Sequence, residues 1–362
     1  VRRLTPLLLV LLVACGGTEG PRSEPAEAVA AVGSGAVALD ATPTPDPGQL
    51  CSLEINTGDG WVARSGLGCP SDGTLVVASV GDVGRAGPTL DATLAGLLGA
   101  CRAAGGCQAL LLPGDLIYGP GADADGAWSG IWDDALSRLG VYGIAALGNH
   151  EYRHEPGPEL KREVLFAADG RAGFVLPAAN YAARILGPEG DLRLAIAAID
   201  TDTIVRGESL APLQATLATA CSTGARMIVV GHHPASSQGR HTLHERPVEA
   251  ALRKLLRGVP EGCRVVASFA GHDHDLQVWP AGCEEAGTPP VIVSGVSARG
   301  FRDGGDTHLT PCPASGATGA YYAGARDDGG YALMTLAPDG RATVSLYDTT
   351  TPNPLTTLEL AP

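Results

Sequence analysis

Short runs of consecutive apolar residues recur along the chain, separated by stretches with helical spacing. Residues 75–80 read Leu-Val-Val-Ala-Ser-Val, the near-continuous apolar pattern of a strand buried on both faces. Leu90, Leu94, Leu97 and Leu98 follow at i, i+4, i+7 and i+8, a helical stripe. The pattern predicts a strand over 109–112, a helix carrying Trp132, Leu136 and Leu139, and a strand over 141–147. Apolar strands are further predicted over 192–199, 227–230, 265–270 and 291–293. Residues 331–336 and 342–347, joined around Pro338-Asp339-Gly340, read as a hairpin. There is no internal repeat. Alternating strands and helices imply an α/β chain.

Five short motifs follow directly after predicted strands, where α/β proteins gather their ligands. They are Gly81-Asp82-Val83-Gly84, Gly114-Asp115-Leu116-Ile117-Tyr118, Gly148-Asn149-His150-Glu151, Gly231-His232-His233-Pro234 and Gly271-His272-Asp273-His274. Taken singly, each has an ordinary reading: Asp82 as a helix cap, Tyr118 as a half-buried core residue, Asn149 as a turn residue. Together they offer carboxylates, a phenol, an amide oxygen and several imidazoles, a donor set suited to iron, zinc or manganese. The glycines are expected to allow unusual backbone angles where the chain turns toward the metals.

The motif set resembles the calcineurin-like metallophosphoesterases and, within them, the purple acid phosphatases. Many members of the superfamily open with Asp-x-His, whereas Gly84 stands at that position here, and Tyr118 stands where the purple enzymes carry an iron-binding tyrosinate. The resemblance runs from about Leu75 to Tyr347 and is closest to the small tartrate-resistant type, whose last motif is likewise followed by a Leu-Gln pair, here Leu276-Gln277. It implies a four-layer α/β/β/α sandwich, two packed β-sheets flanked by helices. It also implies two metal ions, with Fe(III) held by Asp82, Asp115, Tyr118 and His274. Fe(II), Zn or Mn would be held by Asp115, Asn149, His232 and His272, Asp115 bridging the pair. His150 is expected to contact the phosphoryl group and His241 to lie just outside the metals. Either imidazole would protonate the leaving group, its pKa raised by surrounding carboxylates. His233 is assigned no chemistry, and His154, His244 and His308 are expected at the surface. The implied activity is hydrolysis of phosphate monoesters by direct attack of a metal-held hydroxide. Phosphodiesterase or nucleotidase activity, and a non-catalytic surface protein on the same scaffold, stand as alternatives.

Composition narrows this further. The chain has 362 residues, a formal charge of −14 and a pI near 5.0. That balance argues against a nucleic-acid groove, which needs a basic footprint. Residues 1–14 read as a lipoprotein signal peptide: Arg2 and Arg3 precede an apolar run too short to span a bilayer. It ends in Leu12-Val13-Ala14-Cys15, with Cys15 as the expected site of acylation and membrane anchoring. A simple secretory signal with an incidental cysteine is the alternative. Residues 15–50 read as a Pro-rich tether, 51–73 as an N-terminal flap, and 74–362 as the catalytic domain, expected to act as a monomer in the bacterial cell envelope. Eight cysteines besides Cys15 suit disulfides in an exported chain. They allow 105 pairings. Sequence neighbours are the simplest choice: 51–69, 101–107, 221–263 and 283–312.

Overall fold

A computed structural model describes residues 50–64, 66–152, 157–221, 226–301, 308–322, 324–325 and 327–360, with the backbone alone for 242–244. The expected signal peptide and nearly all of the tether, Cys15 included, lie outside the described residues, as does His154.

In chain order the strands are β1 (Leu50–Asn56), β2 (Val62–Ala63), β3 (Leu67–Gly68), β4 (Leu75–Ser79), β5 (Ala109–Pro113), β6 (Tyr142–Ala146), β7 (Phe174–Val175), β8 (Tyr181–Leu186), β9 (Leu192–Ala198), β10 (Arg226–Val230), β11 (Arg264–Ala270), β12 (Leu276–Trp279), β13 (Val291–Ser294), β14 (His308–Pro311), β15 (Thr318–Tyr322), β16 (Gly330–Leu336), β17 (Ala342–Asp348) and β18 (Thr356–Leu360). The helices are α1 (Pro88–Ala103), α2 (Ala124–Trp132), α3 (Pro158–Ala167), α4 (Asp202–Val205), α5 (Ala211–Ala220) and α6 (Thr242–Arg257). One sheet has seven strands in the order β18-β17-β16-β4-β5-β6-β7. The other has eleven, ordered β14-β15-β12-β13-β11-β10-β9-β8-β1-β2, with β3 paired to β1. In both, the strands that precede the motifs are parallel and central, while hairpins extend the edges antiparallel. These are the two sheets flanked by helices that the motifs imply.

Alternation along the central strands explains the layering. On β9 and β10, Ile196, Ala198, Ile228 and Val230 join the core shared with β4, β5 and β6. Their neighbours Ala195, Ala197, Met227 and Val229 face the other way, onto Leu213 and Leu217 of α5 and Leu252, Leu255 and Leu256 of α6. Strands buried on both faces need apolar residues at every position, which is why they were visible as continuous runs. At the contact of the sheets, Ser79 and Ser294 pair their hydroxyls at 2.9 Å.

Two expectations need correction. The segment read as a flap instead supplies β1, which pairs with β8 from Ser52 to Asn56 and so belongs to the large sheet. The helix expected through Trp132, Leu136 and Leu139 ends at Trp132, and a separate 3₁₀ turn spans Leu136–Leu139. Ser129 and Ser137 bond to Asp133 there, offering the backbone a local alternative to continued helix. The expected hairpin is present as β16–β17, and β16 lies directly beside β4. The four expected disulfides, Cys51–Cys69, Cys101–Cys107, Cys221–Cys263 and Cys283–Cys312, are all present.

Candidate metal centre

All five motifs meet at the carboxyl ends of β4, β5, β6, β10 and β11, and the seven expected ligands come together in two groups. In the first, Tyr118 Oη lies 3.0 Å from Asp82 Oδ1, 3.1 Å from Asp115 Oδ2 and 3.4 Å from His274 Nε2. His274 Nε2 is 3.3 Å from Asp82 Oδ1. In the second, His232 Nε2 lies 2.8 Å from Asn149 Oδ1, 3.3 Å from Asp115 Oδ1 and 3.0 Å from His272 Nδ1. His272 Nδ1 is 3.2 Å from Asn149 Oδ1. Asp115 thus turns one oxygen to each group.

The backbone reaches these positions at a cost. Asp82, Asp115 and His272 have φ of 57°, 53° and 71°, the left-handed region that non-glycine residues avoid. Such angles persist where surrounding structure over-determines them, as it does at functional sites. The glycines before them serve a purpose different from the one expected. Of those opening the five motifs, Gly114 alone has positive φ. The common requirement is space: a Cβ on Gly114 would lie 2.5 Å from His232 Nδ1, and one on Gly231 would lie 2.6 Å from Thr201 Cγ2.

The donor chemistry fits cations. His232 Nδ1 lies 3.0 Å from the Pro113 carbonyl oxygen, which can only accept, so Nδ1 carries the proton and Nε2 a lone pair. That lone pair faces the oxygens of Asn149 and Asp115, a repulsive arrangement unless a positive charge lies among them. Ligands bound at about 2.0–2.2 Å and set at right angles lie about 3 Å apart, the spacing found in both groups. Without cations, protons must supply the charge. Burial, and then the charge of Asp115, pushes Asp82 up to about 8. Burial would also raise Asp115, but the imidazoles of His232 and His150 hold it well below the ordinary carboxylate range. Burial and the two carboxylates raise Tyr118 well above the usual phenol value.

His150 and His241 part ways. The His150 ring packs edge-on against Tyr118 with centroids 4.4 Å apart, and its Nε2 is 3.9 Å from Asp115 Oδ2. It borders the first group without joining it. The His241 ring lies tilted against that of His272, with centroids 4.5 Å apart. Its pKa is lowered to about 4 by burial and by the His272 charge, the reverse of the rise expected for it. His233 is buried, its Nδ1 2.8 Å from Thr201 Oγ1. His308 is exposed, as expected.

Several supporting residues escaped sequence reasoning. Glu151, fully buried, accepts from the backbone N–H groups of Leu116, Ile117 and Gly148 at 3.0, 3.0 and 2.7 Å, tying two motif loops together. Its place three residues after Gly148 is that of a capping-box glutamate, a signal available in the sequence. Asp273, between two ligands, accepts from the Ser237 hydroxyl and the His241 amide. Arg299 lies over the Tyr118 ring at 4.4 Å, and Tyr152 beside the site is covered by Arg206 at 4.0 Å and Arg162 at 4.6 Å. The last three depend on distant contacts with no local pattern.

No curated protein sequence matches the chain. Among solved structures, "GAP50 the anchor in the inner membrane complex of Plasmodium" is similar with a TM-score of 0.55 and 15% identity, over 79% of this chain and 88% of that one. A purple acid phosphatase from yellow lupin (Lupinus luteus) seeds is similar with a TM-score of 0.55 and 14% identity. That match covers 83% of this chain but 57% of the lupin chain. At these identities the likeness speaks for the fold. Residues 75–276, which carry all five motifs, match the calcineurin-like phosphoesterase family, and the chain belongs to it.

Proposed function

We propose that this protein is a dinuclear phosphomonoesterase of the purple acid phosphatase type. The observation that carries the reading is Asp115, with Oδ2 in the group of Asp82, Tyr118 and His274 and Oδ1 in the group of Asn149 and His232. A carboxylate so placed serves two cations at once. Cations held there would supply Lewis-acid activation of water and of the phosphoryl oxygens. The phenol and two carboxylates concentrate negative charge on the first group, which suits Fe(III); the neutral donors of the second suit Fe(II), Zn or Mn. His150, beside both Tyr118 and Asp115, is the residue we assign to the phosphoryl oxygens and to proton delivery. His241, half-buried and held neutral, is the weaker candidate for that proton.

Turnover of para-nitrophenyl phosphate against its bis-ester tests the reading. Faster monoester hydrolysis in mild acid is expected; faster diester hydrolysis would favour the phosphodiesterase alternative. The Plasmodium structure described as an anchor raises the non-catalytic alternative, and a complete donor set speaks against it here. We further propose that acylated Cys15 and its Pro-rich tether hold the domain to a bacterial envelope membrane, since multiple acyl chains anchor stably where one does not. Cys15→Ser should release the protein from the membrane fraction; unchanged retention would refute the anchor.

A further inference from the structure

We propose that Glu245 is the positioning residue of the second cation, acting through His272. The inference rests on the dinuclear reading above. His272 is crowded by imidazoles, its ring centroid 4.8 Å from that of His232 and 4.5 Å from those of His233 and His241. Nothing in those contacts dictates which ring nitrogen carries the proton. Yet Nδ1 is the atom that faces Asn149 Oδ1 and His232 Nε2, so it must present a lone pair to serve as a ligand. The proton then belongs on Nε2, which needs an acceptor.

Glu245 supplies it, with Oε2 2.8 Å from His272 Nε2. The contact is close but not aligned as a hydrogen bond, and Nε2 has no other partner among the described residues. Bonds of this kind often tighten only in the loaded site. A carboxylate on the far nitrogen of a metal-bound histidine fixes its tautomer and ring angle and raises its basicity. Glu245 is well placed for this, because it belongs to α6, which Leu252, Leu255 and Leu256 fasten to the outer face of the large sheet. The acceptor is therefore held by a packed helix from outside the metal-bearing loops. His233, Glu245 and His272 also bring donor atoms within 4.8 Å of one another, and the rival reading makes Glu245 a ligand to a third cation.

The test is metal stoichiometry and affinity on the full chain, with zinc competed against a chelator, for wild type, Glu245→Gln and Glu245→Ala. Thermal unfolding is measured alongside. Glu245→Gln keeps the volume and an acceptor oxygen but not the charge. We expect it to weaken the second zinc about 10-fold and Glu245→Ala about 100-fold, with the first ion unchanged. Equal affinity for the second ion in all three proteins would overturn the proposal, as would equal weakening of both ions together with lost stability. Three ions in wild type and two in Glu245→Ala would make Glu245 a ligand and overturn it too. Should Glu245→Ala fail to fold, Glu245→Gln decides. Fewer than two ions in wild type would contradict the dinuclear reading itself, and this assignment with it.

Discussion

Gly84 and Tyr118 are fastened back to back: the Tyr118 amide donates to the Gly84 carbonyl at 2.8 Å, and a Cβ on Gly84 would lie 2.6 Å from that same amide nitrogen. The motif that lacks the superfamily's usual histidine is thus the one against which the phenol is seated. Tyr118 occupies the space that a side chain at 84 would need.

Gly84→His should therefore not recreate a histidine ligand. We expect it to displace the 115–118 loop and destabilise the protein by about 1–3 kcal/mol, the usual range for overpacking. It should also fail to restore metal binding to a Tyr118→Phe variant. Denaturant unfolding and metal analysis of the single and double variants check this; a double variant with recovered metal content would contradict the seating.

Glu151 and Asp82 lead to a pH prediction for chelator-treated protein. Both are pushed up to about 8 from ordinary values of 4.5 and 3.8, chiefly by burial. Folding then takes up protons across that window, so stability falls as pH rises through it. His272, which burial lowers but the carboxylates of Glu245, Asp273 and Asp115 together lift to about 9, loses its contribution in the same direction above 6.5. His241, lowered to about 4, works the opposite way but only below 6.5. Between pH 6.5 and 8 the surviving effects agree. The melting temperature of stripped protein should fall across that interval and that of zinc-loaded protein should hold nearly level. A rising or flat profile for the stripped protein would count against the buried charge balance described above.

Disulfides should contribute unequally. Cys221–Cys263 spans 42 residues and Cys101–Cys107 spans 6. In the chain-entropy account, closing these loops is worth about 4 and about 2 kcal/mol. Replacing each pair by serines and measuring unfolding by denaturant should show the larger loss for the first. The reverse order would mean that native-state effects outweigh loop length.

What the sequence made legible was whatever a local pattern encodes. Central strands such as β4, β5 and β10 read as continuous apolar runs because both faces are covered, and each ends in a polar motif that breaks the run. The place of β1 in the large sheet was hidden because its long partner, β8, lies over a hundred residues away. Asp82, Asp115 and His272 could be named as ligands but not as strained residues, since the adjacent glycines invited the opposite assignment. Glu151 and Glu245 went unnoticed for a related reason. Glu245 acts on a residue 27 positions away and Glu151 on two about 35 away besides its local bond to Gly148, and a lone glutamate on a helix or turn looks like a solvated surface charge.

The central claim is that Asp115 joins two cation sites, and metal analysis of purified protein tests it most directly. Wild type should carry two tightly bound ions per chain. Asp115→Asn should lose affinity for both, whereas Tyr118→Phe should weaken the first alone and, if that ion is ferric, bleach the visible absorption. Wild type with one ion or none, or Asp115→Asn with two ions held as tightly as in wild type, would contradict the account.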